Sequence, residues 1–129
     1  FELGEEKPGD VRRLSRLARP DRAIITGINE AHLSSFKTLD QTAATIFELE
    51  AFVDNSALYK NQESVLVKRY KNKSTLWFSQ AGAGAWKASK IETGLTGTSF
   101  RLKKGKEIMR IETGLLGKHT VGVTSEVAA

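Results

Sequence analysis

"RPDRAIITGINEAHLSSFKTLDQ", residues 19–41, decides how the rest of the chain is read. Pro20 pushes the residue before it out of the helical region and so closes whatever helix precedes it. "RAIITGI" is a short isoleucine-rich run, the texture of a strand buried on both faces. After a loop that carries His32, Thr38 and Gln41 stand at capping-box spacing, in which a hydroxyl and an amide each satisfy a backbone donor at a helix start. Leu39, Ala43, Ile46 and Phe47 then recur at helical spacing. A buried strand that feeds a helix through a loop is the repeating unit of α/β sheets, and such sheets bind ligands at the carboxyl ends of their strands.

Upstream, "FELG" reads as a first short strand and "EEKPGD" as the turn that starts a helix. That helix carries Arg12, Arg13 and Arg16, with Arg19 and Arg22 just beyond, opposite an apolar side of Val11, Leu14, Leu17 and Ala18. No aromatic residue interleaves with the arginines to stack bases, so a solvated basic face is preferred to a nucleic-acid patch. Downstream, the pattern predicts a short strand at Ala51–Val53 and a helix from Ser56 to about Tyr70. From Ser74 the texture changes to β-formers punctuated by glycine and serine, which predicts strands joined by hairpins. "KIETGLTG" and "RIETGLLG" repeat each other 20 residues apart, and two similar strand-to-turn junctions account for them. "GAGAW" lacks phosphate-loop spacing and reads as a hairpin or loop. Trp77, Phe78, Trp86 and Phe100 are expected in sheet packing. The last residues open a helix.

The fold class expected is therefore α/β: an incomplete open sheet with flanking helices, followed by an antiparallel β-strand section. Within a single domain of 129 residues, 1–73 form the α/β part, 74–116 the β-rich part and 117–129 a helix start. With no cysteine there is no disulfide, thiolate zinc site or cysteine nucleophile. No apolar run approaches the roughly 20 residues that cross a bilayer, and the first residues do not read as a signal peptide, so a cytoplasmic setting without a membrane partner is expected. The net charge of +5 favours anionic partners. Glu2 in the first strand and His32 just past the second fall at neighbouring strand ends, half of a divalent-metal site, although a histidine in a turn is more commonly a hydrogen-bonded structural residue.

"ELGEEKPGDVRRLSRLARPDRAIITGINEAHLSSFKTL" resembles the central, ATP-binding domain of the Mur ligases, in which ELG, G[ED]I, RPD, TNI and AHLEGFGS follow in that order. The likeness continues with lower specificity to "LLGKHTVGVTSEVAA", whose glycine, basic residue and histidine match the family's GRHN segment. The resemblance implies peptidoglycan-precursor synthesis, in which ATP phosphorylates a carboxylate and an amine displaces the phosphate to form an amide. It implies Mg and ATP as cofactors, Glu2 and His32 as magnesium ligands, and His119, with Asp54 and Asn55 of an NADD-type segment, beside the nucleotide. The departures from the pattern are specific. No GxxxxGK[ST] phosphate loop occurs, Ile46 falls where the family carries a carbamylated lysine, and Gly27 replaces the asparagine of TNI. The expectation is a degenerate or partial Mur-ligase central domain, inactive alone, that self-associates or is completed by the N-terminal part of a parent ligase. The alternative is a non-catalytic module whose patch of Arg12, Arg13, Arg16 and Arg19 binds an acidic partner or, less favoured, nucleic acid.

Overall fold

The computed structural model describes residues 2–29, 34–69 and 76–128. It is a mixed α/β chain with a parallel strand pair and a separate antiparallel sheet, as expected, and it divides into two compact units. The first unit comprises Phe1–Lys60 and Ser64–Thr75, and the second Asn61–Glu63 and Leu76–Ala129.

In the first unit, helix α1 (Asp10–Ala18) begins after Gly9, whose positive φ of 88° makes the turn. Asp10 is buried and ties that turn down, its Oδ2 accepting from the amides of Glu6 and Lys7 at 3.2 and 3.1 Å. The helix ends in a left-handed Arg19 just before Pro20. One side of the predicted stripe is corrected: Leu17 is 75% exposed, whereas Ser15 is fully buried. At 3.6 residues per turn, Ser15 rather than Leu17 lies one turn from Val11.

Strand β1 (Ala23–Ile25) is the isoleucine run, and helix α2 (Leu39–Ile46) starts at the predicted cap. Thr38 Oγ1 accepts from the Gln41 amide at 3.3 Å, while Gln41 Oε1 reaches past the cap to the Lys37 amide at 3.0 Å. The box thus closes one residue further upstream than in its usual form. The chain tightens into a 3₁₀ turn over Phe47–Ala51, so the strand expected at Ala51–Val53 is not formed. The strand comes later, as β2 (Leu58–Asn61), inside the segment predicted to be helical. Its burial alternates residue by residue, the period of a strand, and it pairs in parallel with β1 from Ala23 opposite Leu58 to Ile25 opposite Lys60. Among the described residues, only Val65–Arg69 of the predicted long helix is α-helical, as α3. "FELG" forms no strand either: residues 2–5 have no ladder partner among the described residues.

In the second unit, β3 (Leu76–Ser79) and β4 (Gly82–Ala83) make a short hairpin, with the Gln80 amide at its turn donating to Glu63 Oε1 at 3.0 Å. "GAGAW" is part of this hairpin rather than a phosphate cradle. Strands β5 (Lys87–Gly94), β6 (Gly97–Lys104) and β7 (Glu107–Thr113) form an antiparallel meander, and α4 (Thr120–Ala128) follows. The inner face of β6 presents Thr98, Phe100 and Leu102, opposite Thr113, Ile111 and Met109 of β7. Phe100 and Leu102 join Trp86 and Val121 of α4 in one apolar cluster. The aromatics of this half serve packing: Phe78, Trp86 and Phe100 are buried and Trp77 is half-buried.

Helix α4 also lies close to β3, and Gly122 sets the distance: a Cβ there would meet the Ser79 carbonyl oxygen at 2.8 Å and the Phe78 ring at 2.9 Å. Gly122→Ala would gain about 1 kcal/mol of helix propensity. Forcing a methyl against a backbone carbonyl costs about 1–3 kcal/mol. The expected result is a net loss of stability, read by urea unfolding as a lower midpoint; a stabilised variant would mean that α4 and β3 are not packed this tightly.

Candidate functional site at the strand ends

The carboxyl ends of the parallel strands are where an open α/β sheet presents a ligand. After β1 the chain leaves through Thr26 and Gly27, both exposed. At the corresponding end of β2, Lys60 faces inward and is 1% exposed. Its Nζ lies 2.6 Å from Glu50 Oε1 and 5.2 Å from the centre of the Phe47 ring. The 3₁₀ turn after α2 supplies Glu50 and Phe47, so the turn that displaced the expected strand also places a carboxylate against a buried ammonium. Burial of a lysine demands such pairing, because desolvation of a charge is otherwise costly. Sequence reading missed Lys60. The available signal was its inward place in the alternation of "LYKN", ten residues after Glu50 in the acidic "ELE".

Glu2 lies in an exposed, unpaired stretch rather than in a strand. His32 falls outside the described residues, and with it the expected convergence on Glu2. Asp54 caps a second 3₁₀ turn, Asn55–Ala57, ahead of β2. Its Oδ1 accepts from the Ser56 hydroxyl at 2.6 Å and from the Ser56 amide at 2.7 Å, and these bonds hold its carboxyl below the usual carboxylate value. Asn55 opens that turn. His119, in the second unit, is exposed in the turn before α4, with its Nδ1 close to Gly117.

The basic helix is partly committed to its own surroundings. Arg12 reaches Glu48 at 3.3 Å, its backbone amide donates to the same carboxylate at 3.1 Å, and Arg13 stands 4.0 Å from Asp10. Arg16 and Arg19 are exposed. Among the described residues no group of three or more histidine, aspartate or glutamate side chains is arranged to hold a metal ion. Ile46, half-buried at the end of α2, offers no donor atom. The described residues by themselves therefore do not bring together the oxygen donors a magnesium ion requires.

A parallel strand pair with helices before and after β1, followed by a three-stranded antiparallel meander, defines a mixed α/β fold. The profile of the Mur ligase middle domain matches residues 1–122, and the chain belongs to that family. The UDP-N-acetylmuramoyl-tripeptide–D-alanyl-D-alanine ligase of Bacillus subtilis (strain 168) is 28% identical over 123 residues, covering 94% of this chain and 26% of the relative. The enzyme of the same name from Buchnera aphidicola subsp. Acyrthosiphon pisum is 28% identical over 128 residues, covering 94% of this chain and 28% of the relative. The chain thus spans about a quarter of the length of these curated relatives. Among solved structures, a crystal structure of MurF from Acinetobacter baumannii superposes with a TM-score of 0.76 at 22% identity, covering 99% of this chain and 29% of that one. MurF from Thermotoga maritima in complex with ADP superposes with a TM-score of 0.63 at 20% identity, over 98% and 31%. These likenesses carry the fold expected from the ELG, RPD and AHL segments.

Proposed function

We propose that this chain is a middle domain of MurF type, descended from an ATP-dependent ligase that joins D-alanyl-D-alanine to a UDP-linked muramoyl tripeptide, and that its own ligase chemistry is not intact. The observation that carries the descent is the continuous likeness to ligases of that name over 94% of the chain. The loss of chemistry rests on Ile46. In the family a carbamylated lysine at that position helps hold the metal beside the acyl phosphate, and an isoleucine supplies neither the charge nor the oxygen atoms. Stabilising charge as it develops on phosphoryl oxygens is the main task in such a transfer, and removal of a metal ligand takes that stabilisation away. By the resemblance, any magnesium or ATP contact that survives would run through Glu2 and His32, in the cytoplasmic setting where such precursors are built.

Two measurements test this reading. The first is phosphate release and amide formation by the chain with ATP, magnesium, the UDP-linked tripeptide and D-alanyl-D-alanine, for which no product is expected. The second is thermal unfolding with and without ATP plus magnesium, repeated on Glu2→Ala and His32→Ala, because a ligand that binds only the native state raises stability by mass action. No ligand shift is expected in any of the three. Product formation would overturn the proposed loss, and a shift abolished in both variants would show that the metal and phosphate site survives despite Ile46.

A further inference from the structure

The outer face of the β5–β6–β7 sheet is rich in cations. On this face Lys87 stands opposite Lys103, and Arg101 opposite Arg110. Directly opposed side chains in an antiparallel pair have Cβ atoms about 4.5–5.5 Å apart, and like charges there are destabilising. Two such pairs in successive outward rows, about 7 Å apart along the strands, put four cations in a small patch. The ladder between β5 and β6 shifts between Ser89 and Glu92, and at that bulge Lys90 adopts a φ of 50°. A left-handed backbone at a non-glycine residue is strained, and bulges commonly re-aim a side chain. Here the re-aimed residue is a fifth cation. Lys90, Glu92, Ser99, Phe100, Arg101 and Arg110 line a shallow depression. Arg110 is held by Glu112 at 2.8 Å, whereas Lys87, Lys90, Arg101 and Lys103 form no ion pair among the described residues. The two carboxylates, Glu92 and Glu112, flank Ser99 in a third row at one end of the face.

We propose that this face binds a compact polyphosphate group, of pyrophosphate to triphosphate size, with Arg101, Lys103, Lys90 and Lys87 as its cations and the Ser99 hydroxyl as a neutral donor. The opposed cations and the strained bulge cost stability in the free protein, and a dense anion offsets that cost. Arginine suits the role because its planar guanidinium donates two parallel hydrogen bonds to phosphoryl oxygens. The spacing favours a compact anion over an extended strand: the cations cluster in two adjacent rows, and Phe100, the aromatic residue at the depression, is 1% exposed in the apolar cluster and presents no ring to stack a base.

The test is a titration of the whole chain with inorganic pyrophosphate at constant ionic strength, followed by backbone amide chemical shifts. Saturable shifts confined to β5–β7 are expected, and Arg101→Gln should weaken binding about tenfold, as should Lys103→Gln, while Arg12→Gln on the basic helix leaves it unchanged. Without ligand, Arg101→Gln should unfold at a higher temperature than the parent chain, because one like-charge pair is gone. Shifts that do not saturate, or that all three variants leave untouched, would overturn the proposal. So would a single-stranded oligonucleotide that binds more tightly as it lengthens while pyrophosphate does not compete, which would make the face a nucleic-acid surface. An Arg101→Gln chain less stable than its parent would remove the argument from opposed charge.

Discussion

Glu50→Ala is expected to destabilise the chain by about 3–5 kcal/mol, the typical cost of removing one partner from a buried ion pair. Lys60 is 1% exposed, so its ammonium has little access to water once the Glu50 carboxylate, 2.6 Å away, is gone. The Phe47 ring, 5.2 Å away, stays beside the ammonium and contributes about 0.5–2 kcal/mol. Lys60→Met, which removes the charge and keeps most of the volume, should cost far less, and adding it to Glu50→Ala should recover most of the loss. Urea unfolding of the two single variants and the double variant closes the cycle. Equal, additive losses from both single variants would show that the two groups do not act as a pair.

Gly97→Ala should be nearly as damaging. Gly97 has a φ of 150°, and a Cβ built there would overlap the carbonyl oxygen of Thr113 on the neighbouring strand. Backbone strain of about 1–3 kcal/mol and an overpacking cost of about the same size act together, so a loss of about 3 kcal/mol or more is expected. Gly94, its partner across the hairpin, has open space where a Cβ would go, and Gly94→Ala should cost little. The contrast is measurable by thermal unfolding of the two variants side by side. Equal effects would mean that β6 and β7 do not approach as closely at Thr113 as this geometry requires.

What was legible in the sequence was whatever rests on local chemistry. The Thr38 cap, the closure of α1 before Pro20 and the isoleucine strand each follow from a few adjacent residues, and each is present. The β-rich second half was legible because runs of β-formers stand between glycine and serine turn residues. The stretch from Ala51 to Tyr70 was not. Leu58–Asn61 has four residues, too few for periodicity to separate strand from helix, and its identity is settled by pairing with β1, a contact between residues far apart in sequence. The same non-locality hid the site. Lys60 looks like a surface lysine until the 3₁₀ turn brings Glu50 to it. In α1 the preference for leucine inside was overruled by helix phase, which turns Ser15 inward and Leu17 out.

The repeated "IETGL" segments end β5 and β7, which run in the same direction on either side of β6, with Glu92 and Glu112 both opposite Ser99 and Thr93 and Thr113 both opposite Thr98. At that end of the meander the central strand therefore meets nearly interchangeable neighbours, and a folding chain has two ways to dock the same five residues. The irregularity at Lys90 is the device that tells them apart: β5 carries an extra residue in its ladder with β6, whereas β7 pairs with β6 without a shift. A strand that took the wrong edge would meet the central strand out of phase by one residue and turn its inward side chains to solvent. The bulge thus works as a key for strand placement, and deleting Lys90 would be expected to make the two edges exchangeable.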